Sequence, residues 1–138
     1  MSVSVDSVSY YARQRPGALA CVDLESGRRW SYADLARDVD RTAAWLTAQF
    51  GPASAVRVAS VARNSVTLLI LHLACIRAGA IYAPLNWRLT TPELTVLVHD
   101  AQPSLLVHDA DFQPPAFAGP CILSGKPSSQ RVVFAKAY

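Results

Sequence analysis

Between Val66 and Ile76 the chain reads VTLLILHLACI, in which only Thr67 and His72 are polar. Asn64 or Ser65 in front can cap a helix, and Gly79 behind can supply the left-handed turn that ends one. The spacing predicts a helix to about Ala78 that is apolar nearly all round. A helix without a polar face has to be covered on several sides. The run falls well short of the roughly 20 residues that cross a bilayer, so the cover is expected to be protein.

The flanking segments predict what supplies that cover. Ser7 to Arg15 reads as a short opening helix stopped by Pro16 and Gly17. Ala18 to Leu24 and Arg28 to Trp30 read as a hairpin around a Ser-Gly turn. Ser31 is an N-cap, with Asp34 three positions on, for a helix whose Leu35, Val39, Ala43, Leu46 and Phe50 share one face. Arg37, Asp38 and Arg41 lie off that face, and Gly51 and Pro52 end the helix. Val56 to Val61 reads as a buried parallel strand, and Ala80 to Ala83 as another, ended by Pro84 because proline cannot donate to a ladder. LNWRL is then a loop. Thr90 and Glu93 form a capping-box spacing for a helix that places Leu94, Leu97, Val98 and Ala101 together until Pro103 closes it. Ser104 to Val107 is a further strand.

Strands alternating with helices predict an α/β fold, with helices on both sides of a partial, mostly parallel sheet and a β-hairpin near the N-terminus. The organised part spans residues 1–110. Residues 111–138 form a proline-rich, irregular tail, with Pro114, Pro115, Pro120 and Pro127 and one strand candidate at Arg131 to Ala135.

Composition narrows the function classes. The 138 residues are 51% apolar and 17% charged, as for one globular domain with a real core. The net charge of +3 is spread without a basic stripe, which predicts no nucleic-acid partner. The opening residues lack the pattern of a signal peptide. Cys21, Cys75 and Cys121 are odd in number and widely spaced, with no metal-ligand pattern, and read as reduced thiols in a cytoplasmic protein.

Five ordered segments carry a family likeness: Tyr32 to Leu35, Asn64 and Ser65, Arg77 to Ala80, Tyr82 to Asn86, and Pro92 to Leu94. In this order they resemble the amino-terminal region of AMP-forming acyl-CoA synthetases and related adenylate-forming enzymes. The LNWRLT form at Leu85 to Thr90 looks most like the fatty-acyl or aryl-acid ligase branch. One departure precedes the strand at Val56, where the family often has Gly-Asp and this chain has Ala55 before Val56. The resemblance spans about Tyr10 to Asp109. It implies a parent reaction in which a carboxylic acid, MgATP and coenzyme A yield acyl-CoA, AMP and pyrophosphate through an acyl-adenylate.

The family's phosphate loop, its aromatic-Gly-x-Thr-Glu segment and its C-terminal lysine domain are not found in these 138 residues. The nearest imitation is LSGKPSSQ at Leu123 to Gln130, where Lys126 precedes Pro127 in the reverse of the family order. A Walker-type loop fails there as well, because Gly119 and Gly125 are one position too far apart. The expectation is therefore a truncated ligase segment, inactive alone, with no catalytic, cofactor-binding or metal residue of its own. The rival expectation is a non-catalytic α/β interaction module, able to self-associate through open sheet edges. A dinucleotide-binding domain is disfavoured because no GxGxxG follows a strand.

Several further residues have side chains that can carry chemistry. His72 reads as a satisfied core histidine, and Cys75 as a buried thiol between Ala74 and Ile76. His99-Asp100 and His108-Asp109 read as solvated or capping pairs at element ends. Trp87 and Arg88 follow a strand's carboxyl end, where α/β proteins gather ligand contacts. They suit either a pocket or a seam in which Trp87 packs and Arg88 pairs with a carboxylate.

Overall fold

The computed structural model describes residues 6–51 and 56–109, together with the backbone at 119–120, 127–128 and 132–133. The elements follow in the order α1 (Ser7–Gln14), β1 (Leu19–Val22), β2 (Arg29–Ser31), α2 (Tyr32–Phe50), β3 (Arg57–Val61), α3 (Val66–Ala78), β4 (Ile81–Leu85), α4 (Thr91–Ala101) and β5 (Leu105–His108). Three two-residue strands complete it: β6 (Gly119–Pro120), β7 (Pro127–Ser128) and β8 (Val132–Val133).

β3 pairs in parallel with β4 on one side and β5 on the other, and β5 pairs in parallel with β8, giving the order β4-β3-β5-β8. Side chains alternate across such a sheet. Val58, Leu105 and Val107 therefore enter one core with Leu35, Val39 and Leu46 of α2 and Leu71, Ala74 and Cys75 of α3. Ala59, Val61 and Leu106 enter a second core with Leu94 and Val98 of α4. Helices cover both faces, the α/β layering that the sequence pattern predicts.

Local chemistry fixes the element ends. At α2, the Ser31 hydroxyl accepts from the Asp34 amide at 3.1 Å while the Asp34 carboxylate accepts back from the Ser31 amide and hydroxyl. That reciprocal bonding holds the Asp34 carboxyl below its ordinary range. At α3, Ser65 is the cap, accepting from the Leu68 amide, and Gly79 ends the helix in the left-handed region at φ 73°. At α4, the Glu93 carboxylate accepts from the Thr90 amide at 2.8 Å.

β1 and β2 form the N-terminal hairpin, with a register shift between Leu19 and Cys21. It is pinned to α2 through Trp30, which is 6% exposed and donates its indole N–H to Asp38 at 2.9 Å. Asp38 thus has a specific task on the flank of the core.

Four local expectations need correction. β4 does not stop before Pro84 but runs through it to Leu85. The Ile81 amide donates to the carbonyl of Val56, just before β3, so by alternation residues 82 and 84 turn their backbone groups to the open side, where a missing donor costs the ladder nothing. Leu97 is not part of the buried face of α4, being 38% exposed while Leu94 and Val98 are buried. His72 is exposed because its row on α3 faces outward. His108 is buried within β5, since the strand extends one residue beyond Val107.

Arg77 near the end of α3 joins three helices. Its guanidinium donates to Asp6 at 2.6 Å, to Asp40 at 2.6 Å, to the Ser9 hydroxyl at 2.7 Å and to the Ala36 carbonyl of α2 at 3.2 Å. α1 has no fully buried residue, so this group supplies much of its attachment, alongside Tyr11 against Tyr32. The Arg77 hydrogen bond holds the Asp6 carboxyl down at about 2. A carboxyl lowered on folding stabilises the native state above its unfolded value of 3.8 and loses that contribution as pH falls toward about 2. Arg77→Ala is expected to release α1 and cost about 1–3 kcal/mol. Faster tryptic cleavage after Arg13 with the rest of the chain still folded would show it; unchanged cleavage would refute the clip.

Candidate functional site

The carboxyl ends of β3, β4 and β5 lie side by side and carry most of the polar residues that a parallel α/β sheet offers to a ligand. The β3–β4 register pairs Val61 with Leu85, and the same offset continued beyond the strands sets Arg63 beside Trp87. The Arg63 guanidinium carbon lies 5.3 Å from the Trp87 ring centroid and that of Arg88 lies 4.7 Å from it. The Arg63 amide donates to the Asp109 carboxylate at 2.8 Å, tying the loop after β3 to the end of β5. Trp87 also packs against the second core with Leu85 and Leu89.

The loop between β4 and α4 is short and self-braced. The Arg88 amide donates to the Asn86 side-chain carbonyl at 3.0 Å, and the Leu89 amide donates to the Asn86 backbone carbonyl at 3.2 Å. Trp87 therefore acts as a packed aromatic carrying guanidinium groups, a cation–π arrangement that stabilises by about 0.5–1 kcal/mol at exposed sites. Arg88 lies over the indole ring, where the seam reading expects a carboxylate partner. Arg63 and Asp109 were missed as members of this group. For Arg63 the signal was the strand offset, which sets it beside Trp87, each two residues beyond the end of its strand, while Asp109 follows the end of β5 by one.

The other flagged residues do not join this group. His72 stacks on Tyr82 with ring centroids 5.0 Å apart, and the Tyr82 hydroxyl is 2.7 Å from the buried Ser60 hydroxyl. Burial pushes the Tyr82 phenol up from its ordinary value. His108 contacts the Asp109 carbonyl through Nδ1 at 2.8 Å, while His99 and Asp100 are exposed on α4. Cys75 is fully buried, and desolvation pushes its thiol up to about 11, which makes it a packing residue. Cys21 is half-buried with its thiol also raised by burial. Cys121 and Lys126 lie outside the described residues.

Among the described residues no group of three or more His, Cys, Asp or Glu comes together that could hold a metal ion. No helix among them is long and apolar enough to cross a membrane. The site is thus a braced, cationic and aromatic rim on a rigid sheet end.

Comparison with known proteins identifies this scaffold. The family model for AMP-binding enzymes matches residues 8–134. The chain belongs to the AMP-binding enzyme family. Within that family of AMP-forming acyl- and aryl-CoA ligases it corresponds to the N-terminal region, as its sequence motifs imply.

It is 44% identical over 105 residues to indoleacetate–CoA ligase of Aromatoleum aromaticum, covering 76% of this chain and 20% of that enzyme. It is 30% identical over 112 residues to the long-chain-fatty-acid–CoA ligase FadD13 of Mycobacterium tuberculosis, covering 78% and 22%. The crystal structure of the N-terminal domain of FACL13 from Mycobacterium tuberculosis superposes with a TM-score of 0.69 at 30% identity, covering 75% of this chain and 26% of that one. The chain thus spans about a fifth of the length of the curated relatives it matches.

The packing of the rim gives a direct check. Trp87→Ala is expected to destabilise the fold by about 1–3 kcal/mol through lost burial and lost stacking, and Arg88→Ala by less than about 1 kcal/mol. Urea unfolding would rank the two, and equal costs would show that Trp87 is not a structural part of the rim. Cys75 should resist a thiol reagent at neutral pH in the native chain and react on unfolding, whereas fast native labelling would contradict its burial.

Proposed function

We propose that this chain supplies the N-terminal scaffold of an AMP-forming acyl- or aryl-CoA ligase and that its 138 residues alone do not carry out the reaction. The observation that carries this reading is the family match over residues 8–134. In the reaction a carboxylate oxygen attacks the α-phosphorus of ATP and pyrophosphate leaves. The coenzyme A thiol then attacks the acyl carbon and AMP leaves. The relatives named above use indoleacetate and long-chain fatty acids, and an aromatic or fatty acid is the substrate class proposed here.

Adenylation needs fixed donors around the triphosphate, and Mg2+ supplies charge neutralisation at the attacked phosphorus when it is bound. The described residues do not fit a metal site, so no metal-dependent step is assigned to them. Their part is mechanical. They hold the ends of β3, β4 and β5 in register, fix the loop at residues 86–89 and keep the rim at Trp87 rigid. A cytoplasmic setting is proposed with this role, supported by the free thiols of Cys21 and Cys75.

Two measurements bear on the proposal. The purified chain, given ATP, coenzyme A and a panel of aromatic and fatty acids, is expected to give neither pyrophosphate exchange nor thioester, so turnover would overturn the inactivity. Placed in the Aromatoleum ligase instead of that enzyme's matching stretch, the segment is expected to keep activity within about tenfold. A folded but inactive chimera would count against the scaffold role.

A further inference from the structure

α1 is 8 residues long and none of them is fully buried. A helix that short is marginal in water, where isolated helices below about 12 residues rarely hold. Its apolar contact with the rest of the chain is shallow. Val8 touches the first core from its margin, and Tyr11 lies against Tyr32 with ring centroids 5.2 Å apart. Winding α1 and docking it on α2 therefore need a further source of free energy.

Arg77 supplies it in a form that joins the two events. The Asp6 carboxylate caps α1 through Oδ1, which accepts from the Ser9 amide at 3.0 Å, while Oδ2 accepts from the Ser9 hydroxyl at 3.0 Å. The same Oδ2 accepts from Arg77 Nε at 2.6 Å, and the Ser9 hydroxyl oxygen accepts from a second guanidinium nitrogen at 2.7 Å. Asp6 and Ser9 are three positions apart, so these side chains meet when the first turn is wound. Arg77 thus binds a pair of acceptors assembled by the helical form. Its remaining nitrogen is held to α2 by Asp40 and the Ala36 carbonyl.

The two ends of α1 are secured differently. At the rear, the Arg15 carbonyl accepts from the Ala18 amide and the Pro16 carbonyl from the Ala33 amide, both at 3.0 Å, so the chain beyond Arg15 is tied to the start of α2 without the clip. The front is held by charge close to water, the side chains of Asp6 and Asp40 being 39% and 70% exposed. Dissolved salt screens such pairs. The Arg77 hydrogen bond holds the Asp6 carboxyl at about 2, so it stays ionised near neutral pH and ionic strength becomes the controlling variable.

We propose that α1 is a strap with two states, wound and docked or unwound and released, and that the contacts of Arg77 with Asp6, Ser9 and Asp40 set the balance between them. Release opens residues 6–15 and leaves the sheet and the helices packed on it folded, because α1 contributes no fully buried residue. It uncovers Tyr32 in the first turn of α2 and frees the Arg77 guanidinium from Asp6 and Ser9. Ionic strength is the signal that the strap reads.

Amide hydrogen exchange of the 138-residue chain, followed residue by residue by NMR, tests this. The amides of Tyr10 to Arg15 donate within α1. Asp40→Asn alters only an exposed side chain of α2, yet it is expected to speed all of these amides together by about twofold to fivefold. Arg77→Gln is expected to speed them by about tenfold or more. Raising KCl from about 0.02 M to about 0.5 M is expected to speed them about threefold in the unsubstituted chain and to leave the Arg77→Gln chain unchanged. The amides of β3 keep their protection throughout, which also reports that each variant is folded. The salt arm needs no substitution, so it remains readable where a variant fails to fold.

Unchanged α1 amides in both variants would overturn the strap, since the helix would then stand without its clip. Acceleration confined to Tyr10, with Arg15 still protected, would be fraying and would overturn the two-state release. Acceleration shared with β3 would mean that α1 opens only with the whole molecule, which overturns it equally. Salt-independent exchange in the unsubstituted chain would overturn ionic strength as the signal.

Discussion

β3 is buried on both faces, and that constraint organises the molecule. From Val58 to Val61 each residue is no more than 1% exposed, Val58 contributing to one core and Ala59 and Val61 to the other. A strand in this position needs neighbours on both sides to satisfy its backbone and helices above and below to exclude water. β4 and β5 meet the first need, while α2, α3 and α4 meet the second. Even Arg57 at its edge is used structurally, donating to the Ala101 carbonyl at 2.8 Å where α4 ends.

Much of this was legible because the relevant signals are local. Ser31 with Asp34, Ser65, Gly79 and Thr90 with Glu93 mark helix ends by chemistry acting within one turn. Those ends are where the sequence places them. What was not legible depends on distant neighbours. Pro84 reads as a strand end until it is known that β4 is an edge whose open side carries residue 84. His72 reads as a core residue because α3 has no polar face from which to judge direction. His108 reads as a solvated or capping residue because it follows the strand end expected at Val107, yet its strand runs one residue further. In each case the residue type is uninformative and the packing partner decides.

The rim at the carboxyl ends of the strands separates family from chemistry. The segments that carry the family likeness include Tyr82 to Asn86, and the structure makes them an edge strand and the start of a braced turn. Trp87 holds that turn to the second core, while Arg63 and Asp109 join the adjoining loops. In the sequence Trp87 and Arg88 stand together and Asp109 reads only as part of a pair with His108, because Arg63 and Asp109 are separated by 46 positions and meet through the sheet. Parallel register converts that separation into contact, whereas helical or strand periodicity within one element cannot reveal it.

The Arg77 clip has a consequence for the order in which the molecule assembles. Asp6 and Arg77 stand 71 positions apart, so the opening helix cannot reach its anchor until the chain through α3 has been made and folded. A contact with so long a loop to close forms late. The Arg77 contact therefore follows the packing of α2 and α3, and substitutions in the clip are expected to act mainly on the unfolding rate. Helix α1 thus gains this anchor only once α3 is in place.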